Sequence, residues 1–156
     1  MATITATLNV SSSDLTSSAL SLSKTMTMTK DTSATTPGDG LEFTSGLVKR
    51  KYTAITEVDL VTVGAQMYGT PTASVANKLY IKNTGSSSTD FVSIALGDAT
   101  GDEELYAAGG DSKITLGKLY GGDWMIIPFG GAANRDVLVK PSTAEATTVE
   151  WMLFFE

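Results

Sequence analysis

The sequence predicts an all-β protein: an antiparallel β-sandwich or jelly roll with an N-terminal two-strand arm. Three observations carry that prediction. About a quarter of the residues are Ser or Thr, and with 15 Gly and few sustained runs of helix formers the composition favours strands and turns. Apolar residues recur at a period of two in one segment after another. Gly, Ser and Asp turns separate these segments at spacings of roughly 8 to 15 residues, as in sandwiches and barrels. No segment needs a helix, and no fixed-period repeat points to a propeller or solenoid.

Residues 2 to 10 alternate, with Ile4, Ala6, Leu8 and Val10 on one side and Thr3, Thr5, Thr7 and Asn9 on the other, which predicts a strand. After Ser11-Ser12-Ser13-Asp14, the residues Leu20, Leu22, Met26 and Met28 again share one parity, interrupted by Lys24, and predict a second. Residues 30 to 40 lack apolar periodicity and end in Pro37-Gly38-Asp39-Gly40, so they read as a linker. Residues 1–40 therefore form an arm and linker, and residues 41–156 the sandwich. Two thin strands are marginal alone and need another layer, from the main sheet or from a neighbouring subunit.

Within 41–156, Tyr52 to Thr62 reads as one strand with a bulge near Glu57. Leu79-Tyr80-Ile81-Lys82, the turn-rich Asn83 to Asp90, and Phe91 to Asp98 read as a β-hairpin. Trp124 to Phe129 reads as a buried strand whose Pro128 marks an edge or an end, and Asp136 to Lys140 as another strand. Thr147 to Phe155 is apolar on both faces. Val149, Trp151, Leu153 and Phe155 share one side, and Met152 and Phe154 the other, so burial on both sides is expected.

The chemistry that the composition excludes is informative. The chain has no Cys and no His, which removes disulfides, thiol nucleophiles, Ser-His-Asp catalysis and the common zinc sites. A net charge of −6 works against binding of a phosphate backbone. No apolar run approaches the ~20 residues of a membrane-spanning helix, and the N-terminus shows no secretory signal. Neither nucleic acid nor membrane is an expected partner, and the chain is expected to be made in the cytosol.

Four carboxylates in the loop Asp98 to Glu104 invite a calcium reading. An EF-hand register from Asp98 fails, because Glu103 falls where the loop needs glycine and Gly109 where it needs the bidentate glutamate. A glycosidase pair could be drawn only from Asp98, Asp102, Glu103, Glu104, Asp111 and Asp123. Solvated loop acids are the simpler account, so no catalytic residue, no metal site, no cofactor and no enzymatic activity are expected.

The candidate contact residues are Ile4 and Leu8 on the arm, the basic run Lys49-Arg50-Lys51, and Trp151, Met152 and Phe154 on the last strand. Aromatic and Met side chains are enriched at interfaces, whereas charges on an edge strand also serve to protect it from unwanted pairing.

The succession Leu79 to Gly85, Val92 to Asp98, Gly121 to Phe129, Asp136 to Lys140 and Val149 to Met152 resembles the small β-sandwich virion proteins of tailed bacteriophages, nearest in type to capsid decoration, or cement, proteins. The resemblance covers residues 41 to 156 and lies in the pattern of strands and turns. It implies a homo-oligomer, commonly a trimer, on the outer surface of the head, bound to the major capsid protein and to copies of itself. The alternative is a tail-fibre or adhesin module that binds host-surface carbohydrate, with Tyr106 and Tyr120 as stacking platforms.

Overall fold

A computed structural model of the chain describes residues 3–13, 20–29, 43–61, 76–97, 114–128, 136–144 and 147–155. The chain divides into two units, Met1–Glu42 and Phe43–Glu156.

The first unit contains β1 (Thr3–Ser12) and β2 (Leu20–Thr29), an antiparallel ribbon in unbroken register from Thr3↔Thr29 to Ser12↔Leu20. Because opposed residues share a face, the register sorts the side chains. Ile4, Ala6, Leu8 and Val10 meet Met28, Met26, Lys24 and Leu22 on one face, while the other pairs Thr, Ser and Asn only. On that polar face, Thr7 Oγ1 and Thr25 Oγ1 lie 3.2 Å apart, and Ser23 Oγ donates to Asn9 Oδ1 at 2.6 Å. Every described side chain of the ribbon except Met28 is exposed or half-buried.

The second unit contains β3 (Phe43–Thr44), β4 (Val48–Tyr52), β5 (Val58–Val61), β6 (Ala76–Asn83), β7 (Phe91–Gly97), β8 (Ile114–Tyr120), β9 (Trp124–Pro128), β10 (Asp136–Pro141) and β11 (Thr147–Phe155). One sheet runs β5-β10-β7-β8; the other runs β3-β11-β6-β9, with β4 also on β11. All pairings are antiparallel. β3 and β4 act as one strand broken by a bulge, in which three residues, Ser45 to Leu47, stand opposite Met152 and Leu153. Gly46 takes φ +74° there, and Ser45 Oγ accepts from Leu153 N at 2.9 Å, replacing the ladder carbonyl that the bulge displaces.

Counted this way, the pairs are nested. The strand β3/β4 pairs β11, β5 pairs β10, β6 pairs β9, and β7 pairs β8, which is a long ribbon rolled on itself into a jelly roll. The core lies between the sheets: Leu79, Ile81, Val149 and Leu153 from one face Val61, Val92, Ile94, Val137 and Val139 from the other, all without solvent exposure. Tyr52, Leu60, Leu119, Trp151 and Phe155 complete it.

Three sequence expectations change. The segment 79–98 is not a hairpin: β6 and β7 belong to opposite sheets, and the connection between them is an arch. An apolar face alternates identically whether a strand hydrogen-bonds its neighbour or faces it across a sandwich, and residues 84–90 are long enough to span the ~10 Å between sheets. The arch is held by Asn83, which is buried; its Nδ2 donates to Leu119 O at 3.1 Å and its Oδ1 accepts from Gly85 N at 2.9 Å. Likewise the single strand expected from Tyr52 to Thr62 is two, β4 and β5, again in opposite sheets, with residues 53–57 crossing between them. Finally, β9 is not a buried strand, since Trp124 is 42% exposed, although Pro128 does mark both its end and the edge of the sheet among the described strands. In contrast, β11 is central in its sheet, and its two faces are both largely covered, with Phe154 as buried as the core-facing Phe155.

Candidate binding surfaces

The outward face of the β4-β11-β6-β9 sheet carries an ion pair and a side-chain hydrogen bond that share one carboxylate. Register places Lys49, Glu150, Lys82 and Trp124 in one row across four strands, and Met152, Tyr80 and Ile126 in the next. Lys51 stands opposite Thr148, and Lys78 between Phe154 and Pro128.

Glu150 is the hub of this face. Its side chain is 11% exposed, its Oε2 lies 3.2 Å from Lys49 Nζ, and its Oε1 accepts from the Tyr80 hydroxyl at 2.8 Å. Burial alone would raise its pKa; the hydrogen bonds from Tyr80 and Lys49, with the charges of Lys49 and Lys82, outweigh that and hold the carboxyl below its ordinary value. The same contact acts on Tyr80 in the opposite sense: burial first, then the hydrogen bond to Glu150 and its charge, push the phenol up to about 12. Tyr80 thus stays a donor and Glu150 an acceptor throughout the neutral range. Trp124 extends the face at the edge, its ring centroid 6.5 Å from that of Tyr80 at a 40° tilt. These strands present four lysines and one carboxylate outward, on a chain whose net charge is −6.

The structure separates the contact residues expected from sequence. Lys49, Lys51, Met152 and Phe154 share this outward face; Met152 is half-buried and Phe154 is 2% exposed. Arg50 lies on the opposite side of β4, its guanidinium 5.2 Å from the centre of the Tyr52 ring and its Nη1 donating to Asp59 O at 3.4 Å, so the basic triplet is not one patch. Trp151 also faces inward and is buried in the core, which makes it a packing residue of its own sandwich rather than a surface contact. Ile4 and Leu8 share the apolar face of the ribbon, where Leu8, Val10 and Leu22 are 46%, 38% and 39% exposed.

Sequence reasoning missed Tyr80, Lys82, Trp124 and Glu150 as a set. Each occupies an outward position of an alternating strand, which is a readable signal. Their meeting depends on a register between strands far apart in the chain, which is not.

Tyr120 is exposed and packs edge-on to Phe91 with centroids 5.6 Å apart, while Lys118 Nζ lies 4.2 Å from the centre of the Phe91 ring. Asp123 Oδ2 accepts from Tyr120 N at 2.9 Å, so this carboxylate closes a turn. Tyr106, Asp111 and the acidic loop 98–104 lie outside the described residues. Among the described residues no group of three or more carboxylates is gathered to hold a metal ion.

Comparison with known proteins returns no match: no family model, no curated protein and no solved structure matches the chain.

Proposed function

We propose that the chain is a virion structural protein of the capsid-decoration type, which binds the head shell and copies of itself through protein–protein contacts. The observation that carries this reading is the ribbon's apolar face, where Leu8, Val10 and Leu22 remain exposed on a two-stranded unit. Such a ribbon is marginal in water and gains stability by finding another layer, and completing the burial of each of these side chains contributes about 1 kcal/mol. The other face is uncharged hydroxyls and amides and places little demand on a partner's side chains. Three ribbons around a threefold axis would enclose their apolar faces in one shared core, which favours a trimer. The jelly roll adds support at the level of fold, since that architecture serves both capsid proteins and lectins.

The test is the solution mass of the full chain and of a variant lacking residues 1–42, measured by light scattering, together with mass spectrometry of particles purified from cells that encode the chain. A trimer that falls to a folded monomer on truncation, and a chain present in many copies per particle, is the expected result. A full-length monomer, or particles without the chain, overturns the reading.

A further inference from the structure

We propose that the outward face of the β4-β11-β6-β9 sheet is a binding site for an anionic carbohydrate, with Trp124 as stacking platform and Lys82 and Lys49 as the cations that meet its carboxylate or sulfate groups. This goes beyond adhesion to a shell and does not rest on it.

The site begins with an exposed aromatic. Trp124 sits on an edge strand with 42% of its surface in solvent, directly opposite Lys82 and beside the Tyr80 ring. An indole so placed offers an apolar plane next to a polar rim, the complement of a sugar ring with its C–H face and hydroxyl edge. From β9 to β4 the row Trp124, Lys82, Glu150 and Lys49 spans three strand spacings, roughly 14 Å, enough for an oligosaccharide rather than a single sugar.

Charge selects the class. Four lysines against one carboxylate make this face cationic on a protein that is acidic as a whole. The one carboxylate is already engaged, since Oε1 of Glu150 holds the Tyr80 hydroxyl and Oε2 lies against Lys49 Nζ. Glu150 is therefore a positioning residue. It fixes the Tyr80 ring beside Trp124 and keeps the Lys49 ammonium on the face, instead of competing for a sugar hydroxyl.

A single-stranded nucleic acid is the other polyanion that aromatic rings and lysines suit. It needs successive exposed rings for successive bases, whereas Trp124 is exposed here and Tyr80 is half-buried with its hydroxyl occupied.

The experiment is an array of carboxylated, sulfated and phosphorylated glycans with their neutral counterparts and oligothymidylate alongside, probed with the full chain and with Trp124→Ala, Trp124→Tyr and Lys82→Gln. Retained glycans are then titrated by tryptophan fluorescence. Selective retention of anionic glycans is expected, weakened by salt, lost at least tenfold in Trp124→Ala, partly restored in Trp124→Tyr and reduced several-fold in Lys82→Gln. The near-ultraviolet circular dichroism of buried Trp151 and an unchanged solution mass establish that each variant keeps its fold and assembly. The proposal is overturned if no anionic glycan is retained, if Trp124→Ala binds like the parent, or if neutral glycans or oligothymidylate bind as tightly.

Discussion

The Tyr80 hydroxyl donates to Glu150 Oε1 over 2.8 Å, joining residues 70 positions apart on adjacent central strands. The bond shifts both groups, Glu150 downward and Tyr80 from 10.0 to about 12, and each shift is a statement about stability. Glu150 binds its proton less readily folded than unfolded, so its contribution is present above the ordinary glutamate range and is lost as pH falls through its lowered folded value. Tyr80 holds its proton more tightly folded, so its contribution is complete below pH 10 and is lost as pH rises toward 12. Urea midpoints measured across pH should show both flanks. Tyr80→Phe should cost about 1 kcal/mol at neutral pH, flatten the alkaline flank and raise the Glu150 titration midpoint read by NMR.

Asn83 links the two sheets through its side chain, since it belongs to β6 and donates to the carbonyl of Leu119 on β8. Asn83→Ala strips the partner from a buried carbonyl and from Gly85 N together, so a loss of about 2–3 kcal/mol is expected. Thermal or urea unfolding measures it. A loss below 0.5 kcal/mol would mean that the arch is not held from this side chain.

Adjacent glycines in the 120–123 turn make a contrasting pair. A Cβ at Gly121 would stand 2.5 Å from Ser87 O and 2.6 Å from Ser87 N, against backbone that itself receives the Gly121 N–H at 3.0 Å. At Gly122 a Cβ meets open space, and the obstacle is a φ of +89°. Gly121→Ala should therefore destabilise by about 2–3 kcal/mol by forcing the turn off the arch, and Gly122→Ala by about 1 kcal/mol from backbone strain. Unfolding of the two variants side by side checks the order, which reverses if strain outweighs the clash.

What the sequence made legible follows the range of the physics involved. Both ribbon strands could be read from residues 3 to 29 because alternation is local, and the Ser/Thr parity survives intact in the paired register. The β6–β7 connection was misread because Leu79, Ile81, Val92 and Ile94 show the same period whether they lie beside one another or across a core. The Lys49–Glu150–Tyr80 cluster was invisible because it needs three strands, β4, β11 and β6, in one register, and no local pattern encodes it. Trp151 and Trp124 were misjudged in opposite directions. Parity placed Trp151 correctly on a face shared with Val149 and Leu153, but only the sheet order shows that this face is the interior, and only it decides that Pro128 marks an edge as well as an end.

The bulge at Ser45 to Leu47 also governs how the ribbon is tethered. Residue 43 begins the sandwich opposite Phe155, in the outermost of the nested pairs, and Thr44 to Leu47 stand outside the core cluster that Val48 packs against. Under load, that short piece can peel from β11 while every inner pair stays closed. Five residues released in this way lengthen the free chain ahead of β4 by roughly 17 Å, a built-in slack that leaves the sandwich itself folded.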